Sequence, residues 1–201
     1  MNLANKITIS RIVLTIIMIT FLVFPFESAG INFTNLFINE SIVVNIKYLI
    51  VGVLFIIAVF TDFLDGYVAR KKNMQTEFGR TLDKIADKLL IDSVLIVLAS
   101  QGFLHPIIPV IVVSRDYIVN TIKNAALRNG KTLRFVKTGK AKNIVFKIGI
   151  TLTLFYNLPF ELFNLNISDM LLIVGTVLAV ISCIQYYNDN RKKIIIKDSQ
   201  V

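Results

Sequence analysis

Thr61–Asp92, TDFLDGYVARKKNMQTEFGRTLDKIADKLLID, packs charged residues between two of the most apolar parts of the chain. Asp62 and Asp65 are three residues apart, and Asp83 and Asp87 four apart, so in helices each pair shares one face. Two such faces brought together make an acidic cup. Four carboxylates at close range repel one another strongly where water is scarce, so the natural occupant is a hard divalent cation with oxygen ligands.

The surroundings of this stretch set the fold class. The 201 residues are 55% hydrophobic, with 15 Phe and no Trp, and the mean hydropathy is +0.69. That is too apolar for an ordinary soluble domain. Apolar runs at Ile12–Phe26, Ile42–Phe60, Leu89–Ser100, Ile107–Val119, Ile144–Leu158 and Met170–Tyr187 are the cores of six expected spans. Some fall short of the roughly 20 residues that a span needs, and reach that length only by running into charged flanks. The expected fold is all-α: a polytopic membrane protein with six transmembrane helices, in a single domain over residues 1–201. No internal repeat or low-complexity tract interrupts it.

Residues 1–11, MNLANKITISR, alternate polar and apolar groups and suit a short interfacial helix ahead of the first span. They lack the basic n-region and small-residue cleavage site of a signal peptide. One long helix is expected from Ile42 to Arg70, then an inner loop, then a helix opened by Gly79 that carries Asp83 and Asp87 near its N-terminus, where the dipole favours negative charge. The single Cys183 cannot form an internal disulfide and reads as a packing residue. His105 falls in an outer turn with Gly102, Pro106 and Pro109, away from the acidic residues, and is not a metal ligand in this reading.

The net charge of +9 is concentrated in alternate segments: Lys6 and Arg11, Arg70 to Lys88, Arg128 to Lys147, and Arg191 to Lys197. By the positive-inside rule both termini and the acidic cup face the cytoplasm. The C-terminal cations read as orientation signals and contacts to anionic lipid heads. Arg115 and Asp116 interrupt the fourth apolar run. Ionisable groups at such depth face a cavity or form a structural pair, and both readings stay open. Lys131, Arg134, Lys137, Lys140 and Lys142 follow in an inner loop; they suit either a phosphate, with Arg as a forked partner and Lys as point charges, or a solvated positive-inside loop. Spans five and six read as packing elements.

Written as a pattern, the opening stretch is Asp62-x-x-Asp65-Gly66-x-x-Ala69-Arg70, eight residues, then Gly79-x-x-x-Asp83-x-x-x-Asp87. It resembles at every fixed position the signature of the CDP-alcohol phosphotransferases. The resemblance implies a six-helix membrane enzyme, usually a homodimer, that binds CDP-diacylglycerol and moves its phosphatidyl group onto an alcohol with release of CMP. It also implies two divalent cations, Mg2+ or alternatively Mn2+, among Asp62, Asp65, Asp83 and Asp87, with Asp87 as the base for the acceptor hydroxyl. Paired cations suit the attack of an oxygen nucleophile on a pyrophosphate. By the same resemblance Gly66, Arg70 and Thr76 contact the CDP-lipid, helped by Asn5 to Thr8. The small residues Gly66, Ala69 and Gly79 either let the nucleotide approach the helix backbones or serve tight helix packing.

Three further features are similar to the phosphatidylglycerophosphate synthases: Asn5-Lys6-Ile7-Thr8-x-x-Arg11, the run Leu82 to Lys88, and Ser114-Arg115-Asp116 followed by Gly139-Lys140-x-Lys142. The acceptor implied is sn-glycerol 3-phosphate, its phosphate held by Arg115, Lys137, Lys140 and Lys142. The chain departs from that subfamily at Lys84 (commonly Pro), Asp116 (Glu) and Asn143 (Thr). Sister enzymes using phosphatidylglycerol, as cardiolipin synthases do, or an inositol phosphate are the alternatives. An ion or proton transporter would place charges near the bilayer midplane and leave an outward path, whereas here the Asp pairs cluster at one face. The partners expected are therefore the two substrates, the lipid bilayer of the cell membrane and a second copy of the chain, and no nucleic acid.

Overall fold

The computed structural model describes residues 3–37, 43–71, 77–128 and 138–194, of which 3–4, 64–71, 77, 80, 125–128, 138, 140 and 191–194 are described by backbone alone. Six helices carry the fold: α1 (Leu3–Val23), α2 (Ile46–Lys71), α3 (Glu77–Ser100), α4 (Ile107–Arg128), α5 (Thr138–Leu154) and α6 (Ile167–Ile194). A two-stranded antiparallel hairpin, β1 (Asn35–Phe37) with β2 (Val43–Asn45), links α1 to α2, and a single 3-10 turn, Phe160–Phe163, links α5 to α6.

The chain runs up and down. Arg11, Asp62, Asp83, Arg115, Lys142 and Ser182, one from each helix, are joined to one another or to shared neighbours at one end of the bundle. At the other end the Leu22 carbonyl accepts from Lys47 Nζ at 2.8 Å and Gln101 Nε2 at 2.7 Å, and the Tyr156 hydroxyl accepts from the Asn45 amide at 3.2 Å. Successive helices therefore alternate in direction. Helix α5 packs along α6, α1 lies against α2 and α3, and α4 packs on α6.

The buried interior is apolar and shared: Met18 and Leu22 from α1, Val51 and Phe55 from α2, Leu90, Val94 and Leu98 from α3, Phe146 and Ile150 from α5, and Leu172 from α6. The outward faces are apolar too, with Val13, Ile16 and Ile17 of α1, Val53 and Ile56 of α2, and Ile173 and Val177 of α6 exposed. A helix apolar all round suits lipid outside and protein inside. Between such surfaces association depends on close packing, and small residues permit it. A Cβ on Gly175 would lie 3.0 Å from the Phe146 ring, and one on Gly149 3.0 Å from Leu172. Buried threonines satisfy themselves on their own helix: Thr15, Thr153 and Thr176 each donate to the carbonyl four residues back, at 2.8–2.9 Å.

Helix α2 covers the expected long segment, Ile46–Lys71 against Ile42 to Arg70. Three expectations change. The short interfacial helix over 1–11 is not a separate element, because no breaker separates Arg11 from Ile12 and α1 continues unbroken. Val43–Asn45, at the start of the helix expected from Ile42, forms strand β2 instead, paired with β1 in the segment between the first two apolar runs. Among the described residues, three helices are long and apolar enough to cross a membrane by length and composition, over 5–23, 46–63 and 167–190. Helices α3, α4 and α5 carry more charge, and that charge builds the site below.

The α5–α6 corner rests on Asn157, which has φ 56° and is 5% exposed. Its Nδ2 donates to Glu161 Oε2 at 3.0 Å and the Leu165 carbonyl at 2.6 Å, and its Oδ1 accepts from the Ser168 amide at 3.0 Å. Asn157→Ala removes all three bonds and strands the amide of buried Ser168, at a cost of about 1–3 kcal/mol. The expected result is a lower unfolding temperature of the detergent-purified protein; an unchanged midpoint would show that the corner does not hold α5 on α6.

Candidate active site

Asp62 projects from α2, and Asp83 and Asp87 lie one turn apart on α3. Two cations hold the three together. Arg11 NH1 of α1 donates to Asp62 Oδ1 at 2.7 Å and Asp83 Oδ1 at 3.2 Å, and its side chain is 0% exposed. Lys147 Nζ of α5 lies 2.6 Å from Asp62 Oδ2 and 2.7 Å from Asp87 Oδ1. Asn143, one turn earlier on α5, donates through Nδ2 to Asp87 Oδ2 at 2.8 Å. The acidic residues thus converge as their spacing predicts, but they are not uncompensated. Two resident cations offset part of the charge of the three carboxylates.

A second cluster adjoins the first. Asp116 Oδ1 accepts from Arg115 NH1 and Lys142 Nζ, each at 2.6 Å, while Lys88 Nζ stands 3.7 Å from Asp116 Oδ2. Arg115 also donates to the Ala179 carbonyl at 3.2 Å and to the Ser182 hydroxyl, both on α6. A Cβ on Gly139 would sit 3.7 Å from Arg115 NH2, so the start of α5 passes beside the guanidinium. Three cations stand around Asp116, and with Asp92 close enough to act on Lys142 and Lys88 the cluster still remains positive. The clusters are neighbours because consecutive residues serve each: Asp87 and Lys88 on α3, Lys142 and Asn143 on α5.

The expected residues therefore divide. Asp62, Asp83 and Asp87 meet in the acidic cluster, and Arg115 and Lys142 meet in the basic one. Asn5 and Thr8 are buried on the face of α1 that also carries Arg11, and Gly79 lies in the first turns of α3. Asp65, Gly66, Ala69 and Arg70 belong to the last turns of α2 and Lys140 to the first turn of α5, with side chains outside the described set; Thr76 and Lys137 lie outside the described residues altogether. Lys140 and Lys142 sit on a helix that begins at Thr138, where the sequence suggests a loop. Spans five and six are not mere packing elements, since α5 supplies Lys142, Asn143 and Lys147 and α6 supplies Ser182.

Arg11 and Lys147 are given no site role in the sequence: Lys147 counts there only as a topology signal, and Arg11 only as that and as part of the N-terminal resemblance. A helical stripe identifies each: Asn5, Thr8, Arg11, Thr15, Met18 and Leu22 form the buried face of α1, and Asn143, Lys147, Ile150 and Leu154 run down one side of α5.

The acidic cluster suits a hard cation. Its described donors are all carboxylate oxygens, and two positive side chains already bridge Asp62 to Asp83 and Asp62 to Asp87, so the three carboxylates face one volume. Among the described residues, no set of three or more acidic, His or Cys groups is gathered closely enough to hold a metal ion; the Asp65 side chain lies outside the described set.

Comparison with known proteins places this geometry. The CDP-alcohol phosphatidyltransferase family matches residues 1–182. The CDP-diacylglycerol-glycerol-3-phosphate 3-phosphatidyltransferase of Bacillus subtilis (strain 168) is 35% identical over 189 residues, covering 94% of this chain and 95% of that one. The protein of the same name from Mycoplasma genitalium is 34% identical, covering 77% of this chain and 65% of its own. Crystal structures of Mycobacterium tuberculosis phosphatidylinositol phosphate synthase share the fold at 19% identity. The apo form has a TM-score of 0.58 and covers 94% of this chain and 88% of its own; the form with CDP-DAG bound has a TM-score of 0.57 and covers 92% and 85%. The chain is a phosphatidyltransferase that belongs to the CDP-alcohol phosphatidyltransferase family.

Proposed function

We propose that this enzyme transfers the phosphatidyl group of CDP-diacylglycerol to sn-glycerol 3-phosphate, giving phosphatidylglycerophosphate and CMP. The observation that carries the reading is the positive Arg115–Lys142–Lys88 cluster beside the aspartates, joined to them through adjacent residues of α3 and α5. A phosphorylated acceptor has a seat there; an uncharged alcohol gains nothing from it. The names of the Bacillus and Mycoplasma relatives support the same acceptor.

Asp62, Asp65, Asp83 and Asp87 would hold divalent cations, two Mg2+ ions or Mn2+ in their place. Bound there, such ions neutralise the pyrophosphate oxygens and stabilise departing CMP. The acceptor hydroxyl oxygen attacks the phosphorus that carries the diacylglycerol, the bond from that phosphorus to the CMP oxygen breaks, and the hydroxyl proton passes to the Asp87 carboxylate. Asn143 holds Asp87 Oδ2 and so fixes the plane of the base. Asn5, Thr8, Gly66, Ala69, Arg70, Thr76 and Gly79 form the seat of the CDP-lipid, with Arg70 as its phosphate partner.

Arg115 and Lys142, with Lys137 and Lys140, take the acceptor phosphate. Asp116 keeps Arg115 and Lys142 pointed at one place, so little ordering is left for binding to supply. The alternation of helix direction supports six crossings of the cell membrane, with the site end and both termini cytoplasmic. The working form is taken as a homodimer on the strength of the resemblance.

The deciding assay is CMP release by purified protein in detergent with Mg2+, CDP-diacylglycerol and, in separate trials, glycerol 3-phosphate, phosphatidylglycerol and an inositol phosphate. Release with glycerol 3-phosphate is expected, and preference for another acceptor would overturn the assignment. Asp87→Asn is expected to cut turnover by about 10²- to 10⁴-fold, the usual contribution of a positioned base, while CDP-lipid still binds. Near-normal turnover would remove Asp87 from that role. Arg115→Ala should raise the apparent KM for the phosphorylated acceptor by roughly ten- to hundredfold, the loss of a charge-assisted hydrogen bond, with a much smaller change for the CDP-lipid. Equal changes would make Arg115 a structural partner of Asp116.

A further inference from the structure

Lys147 is an unusual resident for an acidic site expected to take divalent cations. Its ammonium lies between Asp62 Oδ2 at 2.6 Å and Asp87 Oδ1 at 2.7 Å, and its side chain is only 14% exposed. It reaches there from a helix whose next inward residues, Ile150 and Leu154, are fully buried and apolar, so it has no wet surface to retreat to on that side. Arg11 holds the opposite edge, bridging Asp62 and Asp83. An ammonium gripped by two carboxylates stands where a cation shared by Asp62 and Asp87 would stand. We propose that Lys147 is a tethered competitor for divalent cation at the Asp62–Asp87 pair, so that this chain's metal affinity is set by how readily Lys147 is displaced.

The physical basis is competition between charges. A divalent ion gains more from two carboxylates than an ammonium does, but it must first release a buried cation whose charge then has to be placed elsewhere. Removing that cation leaves Asp87 with no cationic partner among the described residues and Asp62 with Arg11 alone, so the pair becomes more attractive to metal. A single neighbouring charge changes an ionic affinity by roughly one to three powers of ten. The inference rests on the metal role proposed for the aspartates, and the two are separable by experiment.

The test measures binding, not turnover. Purified full-length protein in detergent, without substrate, is titrated with Mn2+, and free Mn2+ is read by its electron paramagnetic resonance signal. Lys147→Met keeps the length of the side chain and removes its charge; its Mn2+ Kd is expected to fall by about tenfold or more relative to the natural chain. Lys147→Gln, which keeps a donor for Asp62, replaces it if the Met variant does not purify folded, with the same direction expected. Lys123→Met is the control for overall charge, because Lys123 of α4 lies over the Tyr186 ring and not on the aspartates; its Kd should match that of the natural chain. An equal gain in Lys123→Met would overturn the proposal. Saturable binding that Asp62→Asn removes and Lys147→Met leaves unchanged or weaker overturns the Lys147 proposal alone. No saturable binding in any of these proteins overturns it together with the metal reading.

Discussion

A fully buried arginine imposes the first constraint on this bundle. The Arg11 side chain is 0% exposed on a helix that is otherwise apolar below it, and a buried charge without partners costs several kcal/mol. It is tolerable only where carboxylates reach it, so α1 has to lie against α2 at Asp62 and against α3 at Asp83. Lys147 makes the same demand of α5, which must meet α2 and α3 at Asp62 and Asp87. Four helices are thereby registered at one end by ion pairs. At the opposite end Lys47 and Gln101 meet the Leu22 carbonyl, and between the two ends the buried contacts are apolar.

The same pairs determine what the site offers a substrate. Successive residues of a helix are turned by about 100°, so neighbours in sequence serve different clusters. Asp87 faces Lys147 and Asn143 while Lys88 reaches toward Asp116; Lys142 meets Asp116 while Asn143 meets Asp87. Two rigid helices thus hold an acidic and a basic cluster at a fixed separation. Under the proposed reaction the acidic cluster would serve cations and the pyrophosphate, and the basic cluster would take the phosphate of the incoming alcohol. Misplacing either helix by an ångström would disturb both together.

Much of this is legible in the sequence, and the parts that are not share a cause. The four aspartates stand out because carboxylates at helical spacing beside apolar runs repel one another unless a cation joins them. The long α2 is legible because nothing between Ile46 and Lys71 breaks a helix. The partnerships of Arg11, Asn143 and Lys147 are not, because a linear reading, even where a pattern includes Arg11 or Asn143, says nothing of which helix face a residue occupies or what it meets there. Ser182 escapes for a related reason: a hydroxyl in an apolar run normally bonds its own backbone. It does so here, donating to the Ala179 carbonyl at 2.9 Å, while also accepting from Arg115. The hairpin of Asn35–Phe37 with Val43–Asn45 leaves no pattern to read, since each strand is three residues long.

Face-resolved reading also bears on the helices too charged to be identified as spans by composition. On α5 the inward Lys142, Asn143 and Lys147 alternate with Ile144 and Ile148, which are exposed by 61% and 49%. On α4 Asp116 is 8% exposed while Ile118 is 51% and Val110 58%. Averaging hydropathy around such a helix counts the charges against it, although lipid would meet only the other side. A charge that faces a partnered interior does not carry the cost of one facing hydrocarbon. The helices that composition passes over, α3, α4 and α5, each turn charged residues toward the clusters, while Ile96, Val110, Ile118, Ile144 and Ile148 stay exposed. Within the proposed six-crossing arrangement, polar groups that would forbid insertion one by one become admissible because Arg11, Lys142 and Lys147 have carboxylates to meet.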